Sequence, residues 1–260
     1  MCTVSWLRSA DGYVLFCNRD ERLTRQPAQG PELRTSRGVS FVAPVDGDHG
    51  GSWIGVNEFG LTLCLLNRYG LSAPDPGRTY TSRGLLLTDL LVAEAPQHLE
   101  ARLGKVSLDS FQPFTLLAVH PNKAALIIEW TGLESEIRWE AEGTVPLSST
   151  SLREPGIAIS RREYFQSLRE ADVEMLGEFH RSHFPERGPY SVCMHREDAR
   201  TVSMSKVTVD RHEIEFAYHP TSPCIKAEAD TVKMMRRSGT EHPLSAAKVS
   251  EAAFRTTFKA

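Results

Sequence analysis

A chain of 260 residues is long enough to bury a core that stands without disulfides, and 40% hydrophobic against 24% charged residues is the balance of a soluble globular protein. A formal net charge of −3, with no dominant basic face or stripe, argues against nucleic acid and for small molecules or proteins as partners. The five cysteines, at 2, 17, 64, 193 and 224, are odd in number, scattered and without a CxxC pair. They suggest neither a disulfide framework nor a zinc knuckle, and they fit a reducing cytoplasm. The N-terminus reaches Arg8 and Asp11 before any run long enough for a signal peptide, and the uncharged stretch Ser110 to Asn122 is too short to span a bilayer.

In chain order, residues 2–8 and 13–19 alternate apolar with small or polar groups around Asp11-Gly12, a dipeptide suited to a tight hairpin turn. Two antiparallel strands are predicted. With Asp11-Gly12 at the turn centre, Ala10 faces Tyr13 and Cys2 faces Glu21, to within a residue or two, so Asn18-Arg19-Asp20-Glu21 lies beside Cys2. Thr24 to Arg37, with Pro27 and Pro31, reads as a surface loop, and strands follow at 40–44, 52–57 and 61–67. After a Pro- and Gly-rich loop at 71–79, Ser82 is placed to cap a helix with Leu85, Leu86, Leu90 and Leu91 on one apolar face. A second helix runs to about 104.

Strands are expected at 113–120, 124–130 and 134–140, then a short apolar run ending at 147–151, helices at 158–170 and 172–181, and strands at 190–195, 200–209 and 213–218. This order predicts an α+β fold with mainly antiparallel sheets. Residues 1–224 form one domain, and the alanine- and charge-rich 225–260 reads as a partly mobile or loosely docked tail.

Cys2 is the first candidate for chemistry. Removal of Met1 would leave a thiol and a free α-amine on one residue, and an α-amine titrating near ~8 is a usable base at physiological pH. In the adjoining cluster an Asp or Glu can hold that amine and an arginine can lower the thiol pKa; a solvated turn with surface ion pairs fits the same residues. Asn67, closing the apolar strand from Leu61, can donate to an oxyanion or simply begin a turn. Gly50-Gly51-Ser52-Trp53 permits close backbone approach to a ligand, or is a loop leading into a strand. His180 and His183 stand three apart near a helix end without the carboxylate of an HExxH pattern, so no metal site is expected there.

Met1-Cys2-Thr3, Asn18-Arg19-Asp20-Glu21 with Arg25 and Pro27, Gly50-Gly51-Ser52-Trp53-Ile54-Gly55 and Leu66-Asn67 together resemble the NRDE family, also known as transport and Golgi organisation protein 2-like. Ser82-Arg83-Gly84 and Phe114 to Ala118 match less closely. More remotely, the chain is similar to choloylglycine hydrolases and penicillin V acylases. The resemblance implies a four-layer αββα sandwich of the N-terminal-nucleophile type, with Cys2 as nucleophile and its α-amine as base. It also implies Arg19 and Asp20 as a polar pair, Asn67 as oxyanion donor, and Asn18, Glu21, Trp53 and Ser149 as binding positions. The acylases carry arginine where this chain has Asn18, and Ser149 or Thr150 stands near where their second oxyanion-side asparagine should fall. Two functions are implied: hydrolysis of a small amide without a cofactor, or, alternatively, non-enzymatic haem trafficking through an apolar cleft.

Overall fold

The computed structural model describes residues 2–69, 77–140, 146–152, 154, 156–168 and 172–237, with the backbone of 256–259. The expected removal of Met1, most of the 71–79 loop and most of the tail beyond 237 lie outside those residues.

The first half of the chain forms β1 (Cys2–Arg8), β2 (Tyr13–Arg22), β3 (Gln29–Ser36), β4 (Val39–Val45), β5 (Ile54–Asn57) and β6 (Thr62–Asn67), then α1 (Arg83–Leu90) and α2 (Gln97–Leu103). There follow β7 (Phe114–His120), β8 (Lys123–Trp130), β9 (Glu134–Glu140), β10 (Leu147–Ser148), α3 (Gly156–Ser167) and α4 (Val173–Arg181). The chain closes with β11 (Ala199–Val209), β12 (Glu213–His219), β13 (Asp230–Met235) and β14 (Thr256–Lys259).

The strands make two antiparallel sheets, ordered β10-β1-β2-β11-β12-β13 and β14-β9-β8-β7-β6-β5-β4-β3. Alternation along each strand sends one set of side chains between the sheets and the other toward helices. Val4, Trp6, Tyr13, Leu15 and Cys17 meet Val56, Cys64, Leu66 and Ile127 in the middle. On one outer face, Leu86, Leu87 and Leu90 of α1 and Leu99 of α2 cover Leu63, Leu65 and Leu116. On the other, Phe165 of α3 and Leu176 and Phe179 of α4 cover Phe16 and Met204. Each such aliphatic or aromatic burial contributes about 1.5–3 kcal/mol, and together the three cores define four αββα layers, as expected. No described helix is long and apolar enough to cross a membrane.

Several expectations are corrected. The β1–β2 hairpin pairs Arg8 with Tyr13 and Cys2 with Arg19, and Ser9 N donates to Gly12 O at 3.0 Å, so Ala10-Asp11 is the turn centre. Gly12 has a different reason to be glycine: a Cβ there would lie 1.8 Å from the Val209 carbonyl oxygen of β11. The register moves by two residues, which leaves every side chain on its expected face. Part of the segment read as a surface loop is β3, a polar edge strand along β4 whose Leu33 is exposed; with one face wet, its hydrophobic signal is weak. In α1, Leu87 is buried and Leu85 exposed, reversing their expected roles, and Ser82 makes no side-chain cap.

Residues 190–195 form no strand. Among the described residues their only ladder contact is a single bridge from His195 to Arg200, because neighbouring side chains take up part of their backbone hydrogen bonding. Part of the tail joins the sheets: β13 pairs with β12 from Asp230 to Met235, and β14 pairs with β9.

His180 is fully buried in α4, with Nε2 2.8 Å from Ser5 Oγ. Burial, then the charges of Arg161 and Arg181, push its pKa down to about 3. The unfolded chain therefore binds a proton below about 6.5 that folded His180 refuses, and stability falls with pH through that window by about 1.4 kcal/mol per unit. Urea unfolding of the wild type and His180→Gln between about pH 7.5 and 5 is expected to give a shallower pH slope in the variant; equal slopes would contradict this.

Candidate active site

Because β2 alternates, the four-residue cluster is divided between two layers. Asn18 and Asp20 point into the helix layer with Phe16, whereas Arg19 points between the sheets with Cys17 and lies directly opposite Cys2. Asn18 is fully buried, and its Nδ2 donates to the carbonyls of His180 at 2.8 Å and Val192 at 3.1 Å. It is thus a brace for the α4 end and the 190–195 segment rather than a lining group beside Cys2. Asp20, equally buried, accepts from Thr201 Oγ1 at 2.6 Å and lies 3.6 Å from the Arg161 guanidinium. Arg161 also donates to Thr3 Oγ1 at 2.7 Å, linking Asp20 to the residue after Cys2.

Arg19 stacks over the Trp53 ring, 4.2 Å from its centroid, and pairs with Asp46 and, at 3.6 Å, with Glu21. Arg25 joins Asp46 at 2.6 Å and Asp48 at 2.9 Å. Burial alone would raise the Asp46 carboxyl, but Arg19, Arg25 and the His49 amide hold it below its ordinary range. The cation–π stack and a fixed carboxylate orient Arg19 far more firmly than an isolated surface pair would.

Cys2 is buried at the base of a cleft of about 630 Å³, which Arg19, Trp53, Asn67, Tyr69 and Arg83 also line. Its backbone N donates to Ser149 Oγ at 3.0 Å, and Ser149 N donates back to Cys2 O at 2.9 Å. Ser149 therefore meets the Cys2 nitrogen. Asn67 reaches the cleft and donates through Nδ2 to Tyr69 OH at 2.9 Å. Arg83 was not singled out from sequence, although it sits inside the matching Ser82-Arg83-Gly84. Its Nη1 donates to Pro113 O at 2.8 Å, and burial lowers its pKa against the pull of Tyr69, Cys2 and Glu21.

The glycines beside Arg83 and Trp53 have one cause. Ser52 N donates to Gly84 O at 3.1 Å where the two segments cross, and a Cβ on Gly51 would fall 2.3 Å from Gly84 C. The close approach expected of Gly50-Gly51-Ser52-Trp53 is to another stretch of backbone, and it carries Trp53 and Arg83 to the same wall.

Behind Cys2, the free thiols of Cys17 and Cys64 continue into the inter-sheet core; Cys17 shares a hydrogen bond with each of the other two. That bond, then burial and the charge of Cys17, push the Cys2 thiol well above the ordinary cysteine range. The thiol is protonated at neutral pH and needs a base to take its proton.

The family model described as Transport and Golgi organisation 2 matches residues 1–227. The chain belongs to this family. Among solved structures, it is similar to the C2A mutant of conjugated bile acid hydrolase from Clostridium perfringens, at 13% identity and a TM-score of 0.55, covering 90% of this chain and 92% of that one. It is also similar to penicillin V acylase from Agrobacterium tumefaciens, at 11% identity and a TM-score of 0.50, covering 90% and 86%. These likenesses give the family member its fold: an α+β sandwich shared with N-terminal-nucleophile hydrolases. No curated protein matches the sequence.

Removing Cys17 deletes the leading cause of the raised Cys2 pKa. Cys17→Ala is therefore expected to shift the pH profile of Cys2 alkylation to lower pH, read as labelled Cys2 peptide by mass spectrometry. An unchanged or upward-shifted profile would contradict the thiol pairing.

Proposed function

We propose that this protein is a cysteine amide (C–N) hydrolase acting on a small amide, with Cys2 as nucleophile and its own nitrogen as base. The observation that carries the reading is the pairing at Cys2. One residue at the base of a cleft presents a protonated thiol and a nitrogen already oriented by Ser149 Oγ, opposite a fixed arginine. Position two is also cysteine in the bile acid hydrolase whose C2A mutant shares the fold.

Once Met1 is removed, the Cys2 nitrogen is an α-amine titrating near ~8, close enough to neutrality to accept the thiol proton. The thiolate attacks the amide carbonyl, and the resulting oxyanion is met by donors on the cleft wall, the Asn67 side-chain amide among them. The C–N bond breaks as the α-ammonium returns its proton to the leaving amine. Water then hydrolyses the thioester with the α-amine again as base, releasing the acid and restoring the thiol. Arg19 and Arg83 orient the substrate, while Asn18 and Asp20 act from behind by holding the strand that carries Arg19.

The haem alternative requires an apolar cleft for the porphyrin faces. Around Cys2 the walls instead carry Arg19, Glu21, Arg25, Asp46 and Arg83, which do not match that surface.

A panel of small N-acyl amides assayed by amine release tests the proposal. Cys2→Ala is expected to abolish turnover, and Ser149→Ala to lower kcat by about tenfold or more while leaving the fold intact by circular dichroism. Unchanged turnover in Cys2→Ala would refute the reading. A saturable haem Soret band lost in Cys2→Ala, with no amide turned over, would replace it with the carrier function.

A further inference from the structure

On the far side of the β2 cluster from the cleft, three segments without regular structure converge. They are the turn after α4, residues 190–195, and the loop after β12. They bring together His183, Cys193, His195 and Cys224, whose ligand atoms all lie within 4.8 Å of one another. We propose that these four side chains form a structural zinc site.

The geometry is that of a tetrahedral N2S2 centre. Zinc with sulfur at about 2.3 Å and nitrogen at about 2.0 Å holds those two atoms about 3.5 Å apart across a tetrahedral angle. Cys193 Sγ and Cys224 Sγ each lie 3.5 Å from His195 Nε2. The two rings do not stack: His183 and His195 are 5.1 Å apart between centroids and inclined by 66°. His183 Nε2 is buried with no hydrogen-bond partner among the described residues, a cost that ligation removes. Arg187 Nη2 lies 3.4 Å from His195 Nδ1, on the ring edge away from the two sulfurs; ligation through Nε2 puts the ring proton on Nδ1, so the guanidinium is a neighbour there and not a hydrogen-bond donor.

The donor set also selects the metal and its role. Two thiolates and two neutral imidazoles suit zinc, cancel its double charge and leave no open coordination position, so the site is structural. Ligation releases two thiol protons to solvent. Cys193 is fully buried, Cys224 is at the surface, and both are free thiols.

The surrounding hydrogen bonds show what such a metal would hold. Cys193 N donates to Ser182 O at 3.0 Å, stitching the first two segments together next to two of the ligands. Val192 O accepts from Asn18, and Met194 N donates to Thr201 Oγ1 at 2.8 Å, the same hydroxyl that donates to Asp20. The metal would therefore fix the backbone against which Asn18 and Asp20 brace, closing loops that the sheets leave open. The sequence hides the set because its members stand at 183, 193, 195 and 224, without a paired-cysteine spacing.

The test uses the full chain purified under reductant. Elemental analysis is expected to give one zinc per chain. The chelator-stripped protein titrated with cobalt(II) should show the intense visible bands of a tetrahedral site and a thiolate-to-cobalt charge-transfer band. Cys224→Ser, a surface change that spares the fold, should weaken cobalt binding by about tenfold or more and reduce the charge-transfer band; His183→Gln should keep that band and lose affinity. The exposed His98→Gln should change neither. Absence of a tetrahedral thiolate spectrum, metal uptake indifferent to Cys224→Ser, or a Cys193–Cys224 disulfide in the reduced preparation would overturn the proposal.

Discussion

The pairing of Cys2 with Arg19 in the β1–β2 hairpin is the constraint on which the rest of the site depends. It is set by the Ala10-Asp11 turn and by β11, which crosses so close to Gly12 that no side chain fits there. Given that register, a strand period of two does the sorting. Arg19 must enter the cleft, and Asn18 and Asp20 must turn away from it, so four consecutive polar residues serve two layers without competing for one space.

The electrostatics follow from this division. A buried arginine or aspartate is costly unless its charge is matched and its remaining donors and acceptors are used. In the cleft, Arg19 is matched by Asp46 and Glu21 and by the face of Trp53; behind it, Asp20 is matched by Arg161 and Thr201. Cys2 is treated differently. Its nearest thiol neighbours and its burial favour the neutral form, so the charge needed for attack has to be created at the moment of reaction. A base on the same residue meets that need without a second buried ionised group.

Much of this was legible in the sequence. The alternation in β1 and β2, the order of strands and helices, and the placing of the 18–21 cluster beside Cys2 follow from side-chain period and turn residues. The exact partner of Cys2 did not, because Asp11-Gly12 looks like a turn centre when its glycine is required by packing against Val209. β3 escaped because an edge strand with one wet face has little apolar signal. The contact of Ser149 with the Cys2 nitrogen was hidden too: β10 has two residues, and only its pairing with β1 shows that the serine reaches that nitrogen. Arg83, Asp46 and Arg161 are distant in sequence and are joined to the site by tertiary contacts alone, as are the four residues of the proposed zinc site.

Intact mass spectrometry of the full chain after reaction with a thiol-reactive amide analogue tests the role of Cys2 most directly. A chain lacking Met1, carrying a single adduct that maps to Cys2 and disappears in Cys2→Ala, is the predicted result. An adduct that forms equally well in Cys2→Ala, or labelling of Cys2 in a chain that retains Met1, would contradict a nucleophile activated by its own α-amine.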